Sequence, residues 1–245
     1  MRTGTRKRIL MGLFLASIWT GGAVSGIQLS LSNRLQEPVT DFDNGQKPLI
    51  QTLFIVARKY NLPMGIEKVD RSALQKPIVV QLEQGTVKQL LDACISQVSG
   101  YAWVEQSETI NVFGINEFSS PKNLLNTVIP HFEVNDESLP TANYKLRNVL
   151  EGLWLSQRHK QTNPQGMIGS YPFNPSHVDA RVTINIDRAT VREILNQMVS
   201  PFRGAYIWIT RVTPEHLSLL PKAGLWQIVG SETEDPTSLL DLGAP

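Results

Sequence analysis

A segment that occurs twice is the feature of this 245-residue chain that most limits its fold. The first copy, residues 86–104, is TVKQLLDACISQVSGYAWV, and the second, residues 190–209, is TVREILNQMVSPFRGAYIWI. The copies align without a gap up to the glycine of each, and one extra residue, Ala205, then aligns Trp103 with Trp208. A repeat with this spacing is too long for a solenoid unit and is typical of two small domains in tandem.

Both copies predict a strand, a helix and a returning strand. A β-branched run that favours a strand precedes each copy, IVVQL at residues 78–82 and VTINI at residues 182–186. The threonine that opens each copy stands three residues before Gln89 or Glu193, which predicts a capping box at the start of a helix. Apolar residues then follow with the helical period, and a glycine is placed to end each helix.

The rest of the chain predicts the same order of elements around the two copies. Further strands are predicted at residues 27–31, 39–42, 64–66, 110–113, 128–134, 167–168 and 225–229, and further helices at residues 49–60 and 146–153. We therefore expect an α+β fold of two tandem repeats, each a small mixed sheet with two helices. The first repeat covers residues 39–114, residues 115–124 form a linker, the second, diverged repeat covers residues 125–230, and residues 231–245 form a disordered tail.

Residues 1–25 have the pattern of a secretory signal peptide. A basic start precedes an apolar run at residues 9–19, and small residues at Ala23 and Ser25 predict cleavage between Ser25 and Gly26. An uncleaved membrane anchor is the alternative, but a run of this length is short for a bilayer span. We expect a periplasmic or secreted protein that has no membrane span after cleavage.

The charge balance of the mature chain argues against nucleic acid as its main partner, because affinity for phosphate requires clustered cations. Cleavage removes four of the 23 Lys and Arg residues, so 19 cations face 22 Asp and Glu residues and the net charge falls from +1 to −3. The single cysteine, Cys94, excludes an intramolecular disulfide. Because Cys94 aligns with Met198, it predicts a buried core position rather than a nucleophile.

No set of residues in the sequence predicts catalysis, a cofactor or a metal site. The four histidines are scattered without ligand spacing, and the nucleophile elbow, the P-loop and the dinucleotide fingerprint are absent. The carboxylate pairs Glu67 with Asp70 and Asp179 with Asp187 have no visible neighbour that would tune them. We predict that the protein is not an enzyme.

The pattern resembles the short N-terminal domain of secretins and TonB-dependent receptors. The positions that carry the resemblance in the first half are Phe42, Pro48, Leu49 and Leu53, the strand at residues 78–82, Thr86 with Leu91, and the hairpin at residues 101–104 and 110–113. The second half keeps Thr190, Leu195 and the hairpin but lacks the Pro-Leu phrase, so the likeness is to a tandem, diverged pair without a barrel or secretin core. The resemblance implies a domain that docks protein partners in the periplasm and carries no chemistry.

We therefore predict an exported, non-enzymatic module of a bacterial cell envelope that binds a protein partner through a sheet edge. Small sheets have edges that can accept an extended segment, and the closing strands of both hairpins lack charge and proline. One of these edges is expected to receive a partner strand or to pair the two repeats. The alternative is that both edges are already covered within the fold. The expected docking residues are Ile110, Val112 and Phe113 in the first half and Leu225, Gln227 and Val229 in the second.

Two other classes of function stay open. A carbohydrate or small-ligand module requires the aromatic side chains of the hairpins to be exposed on one face. These side chains are Tyr101, Trp103, Tyr206 and Trp208. An enzyme without a readable motif requires a deep cleft lined by perturbed carboxylates or histidines.

Overall fold

A computed structural model describes residues 30–67, 70–158, 179–210, 226–233 and 236–237. The expected signal peptide, the strand expected at residues 167–168 and most of the expected tail lie outside these residues. The described residues form helices and small sheets, so the expected α+β class is confirmed. No helix among them is long and apolar enough to cross a membrane.

The elements have the following bounds. The helices are α1 (Leu31–Leu35), α2 (Leu49–Lys59), α3 (Arg71–Gln75), α4 (Val87–Ile95), α5 (Ile115–Phe118), α6 (Leu139–Arg158) and α7 (Val191–Val199). The strands are β1 (Pro38–Asp43), β2 (Met64–Ile66), β3 (Gln81–Thr86), β4 (Tyr101–Gln106), β5 (Thr109–Gly114), β6 (Val128–Ser138), β7 (Arg181–Thr190), β8 (Tyr206–Thr210) and β9 (Trp226–Gly230). Residues 30–114 are called the first half below, residues 115–126 the connecting segment, and residues 128–237 the second half.

Local sequence accounts for the helix in each repeated copy. In α4 the hydroxyl of Thr86 accepts from the N–H of Gln89, whose side chain accepts from the N–H of Thr86. In α7 Thr190 and Glu193 form the same capping box, so both predicted boxes are confirmed. The glycine of each copy has a positive φ, +83° and +78°, and lies in the turn after the helix.

Other predicted elements that lie within the described residues are confirmed with changes of length, apart from the strand expected at residues 27–31. The helix expected at residues 49–60 is α2, the strand at residues 64–66 is β2, and the helix marked at residues 146–153 is part of the longer α6. Residues 27–29 of the first expected strand lie outside the described residues. Its expected end is wrong, because α1 begins at Leu31 and the side chain of Ser30 accepts from the N–H of Asn33 as the N-cap of this helix.

Side-chain amides explain why the strand expected at residues 78–82 begins only at Gln81. The side chain of Asn44 bonds the carbonyl of residue 78 and the N–H of residue 80, at 2.9 and 3.0 Å. The side chain of Gln97 bonds both backbone groups of Val79, at 2.9 and 2.6 Å. These amides satisfy the backbone where a strand partner was expected.

The strands of the described residues form one five-stranded sheet and two antiparallel ribbons. The order in the sheet is β4-β5-β2-β8-β9, with β2 parallel to both β5 and β8 and each hairpin antiparallel. The ribbons pair β1 with β3 and β6 with β7. The hairpin of the second half therefore extends the sheet of the first half, and the two-repeat organisation stays a prediction.

The five-stranded sheet lies between two hydrophobic clusters. One cluster contains the buried residues of α1, α2 and α4, and the other contains those of α6, α7 and the β6–β7 ribbon. Side chains alternate across the sheet, so in β8 Ile207 and Ile209 belong to the first cluster and Trp208 belongs to the second. All three side chains are fully buried, and β8 therefore contributes to the core of both halves.

Candidate functional site

The strand expected to offer a docking edge in the first half is an internal strand. β5 pairs with β4 on one side and with β2 on the other. The N–H of Ile110 donates to the carbonyl of Pro63 at 2.9 Å, and the carbonyl of Val112 accepts from the N–H of Glu67 at 2.8 Å. Ile110, Val112 and Phe113 therefore have no free edge, and this prediction is wrong. The hairpin was placed correctly, but its sequence carries no signal for the order in which its strands enter the sheet.

β9 is the last described strand on one side of the sheet, and the predicted docking residues in it face inward. Leu225 lies outside the described residues. The N–H of Ser231 donates to the carbonyl of Ala205 at 2.8 Å. With the antiparallel register, this bond implies that the backbone groups of Gln227 and Val229 face β8. Gln227 and Val229 are therefore wrong as docking positions.

The outward-facing carbonyls at the two ends of β9 already have partners within the fold. The carbonyl of Trp226 accepts from the guanidinium of Arg147, and that of Gly230 accepts from the N–H of Thr233 at 3.2 Å. Ile228 is the outward-facing residue between them. The edge of β9 is thus partly occupied.

β4 is the last strand on the other side of the sheet, and its edge is open among the described residues. Trp103 and Glu105 pair with Val112 and Ile110, whose backbone groups face β2. Residues paired in this way point their own N–H and C=O groups away from the partner strand. Within the described part of the chain, no group bonds the outward backbone groups of Trp103 and Glu105. β4 therefore has the free edge that the sequence assigned to β5 and β9.

The indoles of Trp103 and Trp208 are held in the same way but are covered differently. Trp103 Nε1 donates to the carboxylate of Asp92, and Trp208 Nε1 donates to the side-chain oxygen of Asn196, both at 2.9 Å. Asp92 and Asn196 are aligned positions of the repeated segment. The two rings therefore leave aligned strands toward aligned helices. Trp208 is fully buried, whereas Trp103 is only half-buried.

β2 provides the cover that buries Trp208. Gly65 is the partner of Trp208 in the parallel ladder. A Cβ atom on Gly65 would lie 2.1 Å from the indole carbon Cε2, which is too close for any side chain. The ring of Trp208 therefore extends over the neighbouring strand, and only glycine leaves room for it there.

A surface groove of about 510 Å³ borders the open edge. Its walls are β4 at Val104 and Gln106, the connecting segment at Phe118 and Pro121, and Arg192 of α7. Val104 is 36% exposed, so the groove has an apolar side chain on its open side. Because side chains alternate along a strand, the groove lies on the face of the sheet opposite Trp103.

A buried ion pair holds one wall of this groove. Arg192 Nε donates to Glu67 Oε1 at 2.6 Å, and the two side chains are 4% and 0% exposed. Asn123 Nδ2 donates to the other Glu67 oxygen at 2.9 Å, and Arg192 Nη1 donates to Asn126 at 2.5 Å. The Arg192 guanidinium also lies 4.2 Å from the centre of the Phe118 ring. The network joins Glu67, the residue after β2, to the connecting segment and α7, so the expected linker is a packed part of the fold.

Sequence reasoning missed this pair because Glu67 and Arg192 are far apart in the chain. Glu67 was expected to stand with Asp70 without a partner that tunes it. The structure gives the Glu67 carboxylate an opposite charge and an amide donor, which is the arrangement that a buried charge requires. The pair is a structural contact between the halves. The sequence does place a charged residue, Arg192, in the first turn of α7 beside the capping box. This signal does not identify the residue that pairs with it.

The remaining candidates from the sequence do not meet in one site. Cys94 and Met198 are both fully buried, which confirms the predicted core position, and burial raises the pKa of the Cys94 thiol to about 12. His131 is exposed on β6, where the carboxylates of Asp187 and Glu133 hold its pKa above the ordinary value. The other three histidines lie outside the described residues. Within the described ranges, no cluster of His, Cys, Asp and Glu is placed to hold a metal ion.

The aromatic side chains that a carbohydrate site requires do not share an exposed face. Trp208 is 0% exposed and Tyr101 is 7% exposed. Trp103 and Tyr206 are half-buried, and they pack against opposite hydrophobic clusters. The condition set for that alternative is therefore not met.

Comparisons with known proteins assign no family to the chain. No protein-family model matches it, and neither a curated protein nor a solved structure matches it significantly.

Proposed function

We propose that the protein is an exported, non-enzymatic interaction module of a bacterial cell envelope that binds an extended segment of a protein partner along β4. The observation that supports this proposal is the open edge at Trp103 and Glu105. A segment that pairs with such an edge gains backbone hydrogen bonds, and side-chain contacts beside the edge provide selectivity.

The sequence of β4 favours binding over protection. Edge strands that avoid partners are protected by several charges, by proline, by a bulge or by a covering segment. The six residues of β4, YAWVEQ, contain one charged residue and no proline, and their register with β5 has no bulge. The groove beside Val104 offers a place for a side chain of the incoming segment.

Export is the part of the proposal that rests on residues 1–25. The basic start, the apolar run and the small residues at Ala23 and Ser25 support processing by a signal peptidase. N-terminal sequencing of the periplasmic or secreted product should begin at Gly26. A product that keeps Met1 and stays in the membrane fraction contradicts export.

A proline variant of the edge tests where the partner binds. Glu105→Pro removes an outward N–H of β4, together with the carboxylate that accepts from the exposed Ser32 hydroxyl. It leaves the bonds of β4 to β5 intact, because edge strands tolerate proline when the lost N–H faces outward. Ile228→Pro is the matched control, since it removes the outward N–H of β9. The mature chain and both variants, each checked for folding by circular dichroism and urea unfolding, are used to capture proteins from a cell-envelope extract.

We expect Glu105→Pro to lose the captured partner, identified by mass spectrometry, while Ile228→Pro retains it. Capture that is unaffected by Glu105→Pro, or lost only in Ile228→Pro, shows that β4 is not the docking edge.

A further inference from the structure

We infer that the segment bound by β4 runs parallel to it and has an apolar–glycine–apolar sequence, with the glycine opposite Trp103. This inference rests on the proposed function, since it names the kind of partner that the same edge takes. The inference is based on a comparison within the protein. The edge of β8 that faces β2 corresponds to the open edge of β4, and β2 is the strand that pairs with it.

The backbone groups of Trp208 in β8 face β2, and the backbone groups of Trp103 in β4 face the open edge in the same way. The bond from Ser231 to Ala205 and the antiparallel register imply that the N–H and C=O groups of Trp208 point away from β9 and toward β2. In the same way, the register of β4 with β5 implies that the N–H and C=O groups of Trp103 point away from β5. Trp103 and Trp208 therefore present the same backbone groups and the same indole, one to an open edge and one to β2.

β2 shows which side chains fit such an edge. In the parallel ladder Met64 pairs with Ile207, Gly65 with Trp208, and Ile66 with Ile209. The glycine is required because the indole occupies the space of its Cβ atom. Met64 and Ile66 point to the other face of the sheet, where they pack in the core with Ile207 and Ile209.

The alignment transfers this pattern to β4. Ala102 aligns with Ile207, Trp103 with Trp208 and Val104 with Ile209. The sequence that fits places an apolar residue beside Ala102, a glycine under the indole of Trp103 and a second apolar residue beside Val104.

The groove gives the second apolar residue its own site. Val104 is 36% exposed, whereas its counterpart in β8 is fully buried beside Ile66. The groove opens beside Val104 and contains the rings of Phe118 and Pro121. The Arg192 guanidinium in its wall is neutralised by Glu67, so an apolar side chain fits the groove better than a charged one.

A peptide library tests this inference with a defined probe. Random twelve-residue peptides displayed on phage are selected on the mature chain, and the enriched peptides are then tested for binding to the Glu105→Pro variant. We expect the enriched peptides to share a glycine between two apolar residues. In a synthetic peptide of the enriched sequence, Gly→Val should weaken binding by at least about tenfold, measured by fluorescence anisotropy, because a side chain cannot fit under the indole.

Trp103→Ala is the control that links the glycine to the indole. In this variant the Gly and Val peptides should bind with similar affinity, because the ring that excludes a side chain is absent. A preference for glycine that persists in Trp103→Ala overturns the assignment of the glycine to the position opposite Trp103.

The direction of the peptide is read with a nitroxide label at either end. A parallel peptide places its N-terminal label near Tyr101 and its C-terminal label near Gln106, and each label should broaden the amide signals at that end of β4. The reversed pattern overturns the parallel direction.

The outcomes separate the inference from the proposed function. Peptides that bind Glu105→Pro as well as the parent chain contradict both. Peptides that depend on Glu105 but lack the shared glycine, or bind antiparallel, overturn the inference and leave β4 as the docking edge. If no peptide is enriched, the inference is wrong, and capture from the envelope extract still decides the function.

Discussion

The strands β4 and β8 start from nearly the same sequence and reach different environments. Each follows a helix with a capping box, and each carries a tryptophan whose indole N–H donates to the aligned helix residue. Trp208 is sealed by β2 from the other half, and Trp103 has no such strand beside it among the described residues. The repeated segment therefore specifies a strand whose indole bonds the preceding helix, and the neighbouring strand determines whether this strand lies in the core or at an open edge of the sheet.

The helices α4 and α7 repeat this contrast at a second aligned position. Lys88 is about half exposed and pairs with Asp92 on the surface at 3.2 Å. Its counterpart Arg192 is buried and pairs with Glu67 of the other half. A cation at the same helix position is therefore a solvated surface residue in one copy and a contact between the halves in the other.

Truncation of the two tryptophans should give the largest difference between the copies. We expect Trp208→Ala to lower the free energy of unfolding by about 4 kcal/mol, because it leaves a large cavity between the halves. Trp103→Ala should cost about 1 kcal/mol, because its ring is half-buried. Urea unfolding of both variants measures the difference, and similar costs would show that the edge of β4 is covered as well.

Replacement of the aligned cations Arg192 and Lys88 should give a slightly smaller difference in the free energy of unfolding. Arg192→Met should cost about 3 kcal/mol, because the Glu67 charge stays buried without its partner. Lys88→Met should change stability by less than about 0.5 kcal/mol, because its ion pair is exposed. Adding Glu67→Gln to Arg192→Met should recover part of the loss in urea unfolding. No recovery in the double variant would mean that the buried charge is not the cause.

A methyl group on Gly65 tests the fit between β2 and Trp208 directly. Gly65→Ala should cost about 2 kcal/mol, because the new Cβ atom overlaps the indole and the ring must move. Gly152→Ala in α6 is the control. Its Cβ meets open space, and alanine favours a helix, so stability should rise by up to about 1 kcal/mol. Thermal unfolding that shows no loss in Gly65→Ala contradicts the close approach of strand and ring.

Substitution of Cys94 by methionine, the residue at the aligned core position 198, should have the smallest effect on the free energy of unfolding. Cys94→Met should cost less than about 1.5 kcal/mol, because the aligned position already accepts methionine. The native thiol should react slowly with a thiol reagent at pH 8, since its pKa is raised from 9.0 to about 12. Because the pKa is higher in the folded chain, the neutral Cys94 thiol contributes fully to stability below pH 9, and this contribution is lost as the pH rises toward 12. Fast labelling of the native chain would place Cys94 outside the core.

Much of the local structure could be predicted, and most of the site could not. The capping boxes at Thr86 and Thr190 follow from residues three places apart, the core position of Cys94 follows from its alignment with Met198, and all are confirmed. The docking residues in β5 were wrong because the strand order places β5 inside the sheet, and those in β9 were wrong because its register turns the backbone groups of Gln227 and Val229 toward β8. A free edge is defined by a neighbour that is missing, and the residues of the strand do not encode it.

The helices, the hairpins and the apolar faces of this protein follow from its local sequence, because capping and periodicity act between residues that are close in the chain. The contact of β2 with β8, the pairing of Glu67 with Arg192 and the position of β4 at the edge of the sheet depend on the packing of distant segments. Strands join through backbone groups that every residue except proline carries, so nearly identical segments can pair with different neighbours. The choice between them is made by how the side chains of the whole chain pack together.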